Sequence, residues 1–165
     1  MRMLRAFAAI GAASMFLAFA TPAAAQSFNP NAEPNAEPNC GRLDLNGDFS
    51  PDPTIVEVQA GGPTRARRVL RGCEGFVSRD LDVRLDFRTR GRLPMIISAD
   101  AITDTTLLIR TPDGRYHCDD DGGERAGNPA LRFARPQSGR YTIWVGTYGG
   151  ATQPARLHIS EVSSQ

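Results

Sequence analysis

The chain has 165 residues, 41% of them hydrophobic and 22% charged, and its 19 basic residues against 18 acids leave a formal net charge of +1. That balance excludes a simple polycation, and the length leaves room for one domain behind the N-terminal segments. Every basic residue is an arginine, for there is no lysine.

The opening "MRMLR" carries two arginines. "AFAAIGAASMFLAFA" then gives an uncharged run of small and apolar residues, and "TPAAAQ" presents Ala23 and Ala25 in the small-residue pattern of a cleavage site. Residues 1–25 therefore read as a secretory signal peptide; the run is short for a bilayer-spanning helix, which needs about 20 residues. No transmembrane segment is expected after cleavage, and the location expected is periplasmic or secreted. With Arg2 and Arg5 removed from the 19 basic residues, 17 arginines face 18 acids.

Residues 26–39 hold a tandem NAEP repeat. Pro, Asn and Glu bury too little apolar surface to offset chain entropy, so this stretch reads as a disordered, solvated leader. From Cys40 to Gln165 the pattern changes to short β-rich runs: "TIVEVQA" (54–60), "LDVRLDF" (81–87), "LPMIISA" (93–99), "TTLLIRT" (105–111), "ALRFAR" (130–135), "RYTIWVGTY" (140–148) and "ARLHISEV" (155–162). In the second run Leu81, Val83, Leu85 and Phe87 alternate with Asp82, Arg84 and Asp86, as in a half-buried strand with one wet face. Turn signals separate the runs and no long window of helical period follows the signal peptide. The expected fold is all-β, an antiparallel β-sandwich or jelly roll. In "TPDGRY", Pro112 and Asp113 suit the central positions of a type I turn and Gly114 the positive φ that follows, so "TTLLIRT" and "RYHCD" should pair as a hairpin.

Cys40, Cys73 and Cys118 follow the signal peptide in a compartment that permits disulfides. Cys73 and Cys118 adjoin strand-like runs and form the expected pair, while Cys40, behind the leader, is left free or bonded between molecules. No two cysteines have the spacing of a metal-thiolate site.

The stretch "PDG…CDDDGG…NP…F…PQSGRYTIWVGTY", together with "CEGFVSRDLDVRLDF" and "ARLHISEV", resembles the bacterial pre-peptidase C-terminal domain family over about residues 52–162. The resemblance implies a β-sandwich module of an exported protein, similar to collagen-binding modules, some of which bind calcium. Members often follow a hydrolase. Here no catalytic domain precedes the module, so a free-standing copy without peptidase activity is expected.

Catalytic chemistry finds little support. A serine triad needs nucleophile, base and acid in contact, and only His117 and His158 are present. No G-x-S-x-G elbow occurs. His117 and Asp119 can share a strand face, Ser138 sits in a turn, and His158 alternates onto a polar face and is expected at the surface. The acidic run Asp119, Asp120 and Asp121, with Asp104 from a neighbouring strand end, has the oxygen chemistry of a calcium site; the competing reading is a solvated loop or one paired with Arg110, Arg115 or Arg125. "DLNGDFSPD" (44–52) fails as a calcium loop, with Phe49 where glycine is required and Ile55 where the bidentate glutamate belongs. On "YTIWVGTY", Tyr141, Ile143 and Val145 share one face and Trp144 and Tyr148 the other, either as an exposed stacking platform or in ordinary packing. Residues 65–92 hold nine arginines against four acids, either for anion recognition or as solvated strand faces. No nucleic-acid motif accompanies them. The reading as a whole is a non-catalytic, exported binding or accessory module of the cell envelope that recognises a protein or polysaccharide. The alternatives are a calcium-stabilised structural domain and a hydrolase- or peptidase-associated protein.

Overall fold

The computed structural model describes residues 37–164; the expected signal peptide and the leader up to residue 36 lie outside them. Two sheets face each other. The first contains β1 (Gly41–Asn46), β3 (Thr64–Arg65), β4 (Phe76–Val77), β5 (Val83–Arg88), β7 (Thr105–Arg110), β8 (Tyr116–Asp119) and β10 (Gly139–Thr147). The second runs β2 (Thr54–Ala60), β11 (Gln153–Ser160), β6 (Met95–Asp100), β9 (Ala130–Phe133). The all-β sandwich stands, and the hairpin at Pro112–Gly114 pairs Leu108 with Cys118 and Arg110 with Tyr116.

Alternation decides which side chains meet between the sheets. Val83, Leu85, Phe87, Leu107, Ile109, Tyr141, Ile143 and Val145 of one sheet pack against Val58, Met95, Ile97, Ala99, Leu157 and Ile159 of the other. Each large side chain in that layer stabilises the fold by about 1.5–3 kcal/mol before entropy is counted. β10 is the spine of the first sheet. Its first half pairs with β5, and from Thr142 onward it pairs with β7 on its other side.

Two features depart from the sequence reading, and a third decides between alternatives it left open. First, β1 pairs with β5 in parallel, Leu43 opposite Leu85. The chain passes through β2 in the other sheet between them, so no tight turn forces the antiparallel sense. Second, Asp82 and Arg84 do not form a wet face, for both are buried. β5 is an interior strand, flanked by β1 and β10, with Arg42 and Thr142 beside Arg84. Third, of the exposed platform and the ordinary packing left open for Trp144, it takes the packing. It does face outward from the first sheet, but it is only 1% exposed. The connection from β3 to β5, with a 3₁₀ turn at Ala66–Arg68, folds across it, and Ala66, Cys73, Val77, Leu81 and Leu108 make a second small core with it. The Cys73–Cys118 disulfide pins this cover to β8.

Candidate functional site

Strand register brings one set of loops together. Thr147 lies opposite Thr105, Leu107 opposite Asp119, Ser98 opposite Ala130 and Ala60 opposite Gln153. The loops 61–63, 101–104, 120–129 and 148–152 therefore share one end of the sandwich. They are knitted together: Thr105 N donates to Gly127 O at 2.9 Å and Tyr148 N to Asp104 O at 3.2 Å, and the Gln153 amide bonds Thr103 Oγ1. Ile102 is fully exposed and Tyr148 is 59% exposed at this rim.

Of the sequence-predicted residues, Asp104, Asp119, Asp120, Asp121 and Tyr148 meet here and Trp144 does not. The aspartates have different tasks. Asp119 Oδ2 accepts from Gly122 N at 2.7 Å and Ala130 N at 2.9 Å, so this carboxylate closes the acidic loop as a backbone brace. Asp121 Oδ1 accepts from Gly127 N at 3.3 Å. Asp104 and Asp120 have raised carboxyl pKa values, each first through desolvation and then through neighbouring carboxylates, Asp121 prominent for both. Among the described residues no ion pair relieves Asp104, Asp120 or Asp121, and Arg115, one candidate counter-charge, is paired with Asp113 instead. No group of three or more His, Cys, Asp or Glu side chains among the described residues is arranged to hold a metal ion.

Beside the rim, a depression of about 490 Å³ is lined by Glu57, Asp100, Ala101, Ile102, Arg125 and Arg156, with Pro154 and Ala155. It is braced by an ion pair and a hydrogen bond at Asp100. Asp100 Oδ2 accepts from Arg156 Nη2 at 2.7 Å, and Asp100 Oδ1 lies 2.6 Å from His158 Nε2. Desolvation works against the Asp100 carboxylate, but bonds from Arg156 and His158 outweigh it and lower its pKa.

His158 is a correction, at 3% exposure rather than at the surface. Alternation does aim it outward from its sheet, but β11 is an inner strand, and Ile55 of β2 and Ser98 of β6 flank it directly. Sequence reasoning missed the Asp100–His158 pair, because only the β6–β11 register makes them neighbours. Ser98 beside it is equally buried, and neither Ser98 nor His158 lines the depression. His117 lies edge-on to Phe133 at 5.4 Å, while Asp119 is committed to backbone amides. Ser138 Oγ accepts from Thr89 N at 2.9 Å at the opposite end of the sandwich. These arrangements hold the fold in place.

Another residue the sequence concealed is Asp82. Only 1% exposed, it accepts from Val145 N at 2.8 Å, Ser78 Oγ at 2.9 Å and Asn39 Nδ2 at 3.3 Å. It fills the gap where β5 stops pairing with β10. Burial, reinforced by the Asp80 carboxylate and opposed by these donors, pushes its pKa up to about 6. Cys40, the free cysteine, lies nearby; burial raises its thiol pKa, which makes it a weak nucleophile at neutral pH.

No protein-family model and no curated protein matches the chain. Among solved structures it is similar to PliG of Aeromonas hydrophila, a periplasmic lysozyme inhibitor of g-type lysozyme, at 12% identity and a TM-score of 0.42, over 73% of this chain and 98% of that one. It is also similar to a mutant of the g-type lysozyme inhibitor PliG-Ec from Escherichia coli, at 14% identity and a TM-score of 0.35, over 72% of this chain and 96% of that one. At these scores neither alignment bears on what the chain does. Among the described residues no helix is long and apolar enough to cross a membrane.

Proposed function

We propose that the protein is a non-catalytic, exported binding module that docks a partner protein on its acidic loop end. The carrying observation is the convergence of Asp104, Asp120 and Asp121, carboxylates with no ion pair among the described residues, with exposed Ile102 and Tyr148 on loops tied to one another. Apolar anchors set among like charges suit a partner with a basic surface: the charge steers the encounter and the anchors hold it. The N-terminal signal pattern and the Cys73–Cys118 disulfide support an exported location. The resemblance to pre-peptidase C-terminal modules agrees with a binding role, while the loose likeness to two lysozyme inhibitors carries no target to this chain.

The test is affinity capture from envelope extract with the mature protein and with a rim variant carrying Asp104→Asn, Asp120→Asn, Asp121→Asn and Tyr148→Ala. Partners held by the native protein, released by salt and lost by the variant bear out the proposal. Equal capture by both proteins refutes it.

A further inference from the structure

The lateral flank between β1 and β2 is where both sheets end. Among the described residues β2 pairs only with β11, and β1 only with β5. β2 is a regular seven-residue strand, Thr54–Ala60. It has no proline and no bulge, two of the devices by which natural edges are blunted, and its one charged side chain is Glu57. The other edges are shorter or already engaged. β9 and β8 have four residues each, β8 is tied by the disulfide, and on β1 Arg42 and Asp44 pair with Glu37 and Arg88.

The free hydrogen-bonding groups can be assigned. The Gln59 N–H donates a hydrogen bond to the Cys40 sulfur and therefore points away from β11. In an antiparallel strand the backbone groups of alternate residues point the same way, so Ile55 and Glu57 turn their N–H and C=O groups to the same flank as Gln59, whose N–H Cys40 already occupies. The side chains of these three residues are exposed, Ile55 at 48%. Beside the edge, Leu43, Leu45, Phe49 and Val56 are only partly buried although they pack against the main core. Among the described residues the flank thus presents the unpaired backbone groups of Ile55 and Glu57 beside an incompletely covered apolar seam.

We propose that the β2 edge accepts an extended segment of a partner polypeptide as an added strand, with apolar residues facing the seam and a basic residue opposite Glu57. Strand addition draws affinity from main-chain bonds and specificity from alternate side chains. Charge separates the occupants. The longest antiparallel register open to a second copy is centred on Glu57 and sets two Glu57 carboxylates against each other, which opposes pairing, whereas an arginine or lysine there is favourable. This edge is distinct from the acidic rim and does not depend on it.

The experiment uses the mature protein and two capped peptides, Thr-Val-Arg-Val-Thr and Thr-Val-Glu-Val-Thr, titrated by NMR with amide hydrogen exchange as the second readout. The basic peptide should slow exchange at the Ile55 and Glu57 amides and bind about five- to tenfold more tightly than the acidic one. Glu57→Lys should reverse that order. Glu57→Pro, which deletes a donor on the free edge and spares the β11 ladder, should abolish the protection while the β11 amides stay protected. Protection confined to the rim loops, no protection at the two amides, or concentration-dependent protection without peptide (a second copy in the edge) would each overturn the proposal. Because the rim variant leaves β2 untouched, failure of peptide binding and failure of rim docking are read separately.

Discussion

Replacing Asp82 by asparagine should remove one well-defined slice of the pH dependence of stability. A carboxyl near 3.8 in the unfolded chain and at about 6 in the fold makes the folded state bind more protons between those values. Stability from this group is therefore present in acid and falls as pH rises through the window, by about 3 kcal/mol at most. The local geometry agrees in sign. Ser78 has one hydroxyl proton and two acceptors in reach, Asp80 O at 2.6 Å and Asp82 Oδ1 at 2.9 Å, so a neutral Asp82 that donates to Ser78 Oγ satisfies both. An asparagine side chain can supply that donor and still accept from Val145 N. Urea unfolding of both proteins, disulfide intact, from pH 4 to pH 7 tests this. The native protein should lose up to about 3 kcal/mol relative to Asp82→Asn across the range. Taking the difference cancels Asp104, Asp120 and Glu161, which are also raised. A difference that is flat with pH, or one that favours the native protein as pH rises, refutes the reasoning.

Reduction of Cys73–Cys118, or Cys73→Ser with Cys118→Ser, should cost about 4 kcal/mol for a bridge spanning 45 residues, and the emission of Trp144 should shift to the red as its cover loosens. Trp144→Ala should lower stability by about 3–5 kcal/mol, seen as a fall in the urea midpoint. His158→Phe leaves Asp100 with Arg156 alone. Because the Asp100 pKa is lowered in the fold, the native pair stabilises above the unfolded carboxylate pKa and loses that contribution as pH falls through the folded one. The acid-side decline in stability should therefore be shallower in the variant when followed by circular dichroism.

The sequence disclosed the fold more fully than the site because strands are written locally and neighbours are not. The run 54–60 coincides with β2, and the Pro112–Gly114 turn gives β7 and β8 their register. β1 escaped notice although Leu43 and Leu45 alternate, because its parallel partner is some forty residues away. Periodicity assigned Trp144 and His158 to outward faces correctly, yet both are buried. A face is wet only if nothing folds over it and its strand is not flanked, which depends on the Cys73 segment and on sheet order. Asp104 joined Asp120 and Asp121 as the strand ends suggested, but Asp119 turned inward as a brace. The Asp82 and Asp100–His158 sites had no sequence signal, since each is built from residues far apart along the chain.

The central claim, docking on the acidic loop end, is tested most directly by a hydrogen-exchange footprint of the protein with a partner captured from envelope extract. Slowed exchange should concentrate in residues 101–104, 120–129 and 148–152 and fade at high salt. A footprint that leaves these loops unprotected, or one unchanged by neutralising Asp104, Asp120 and Asp121, would contradict it.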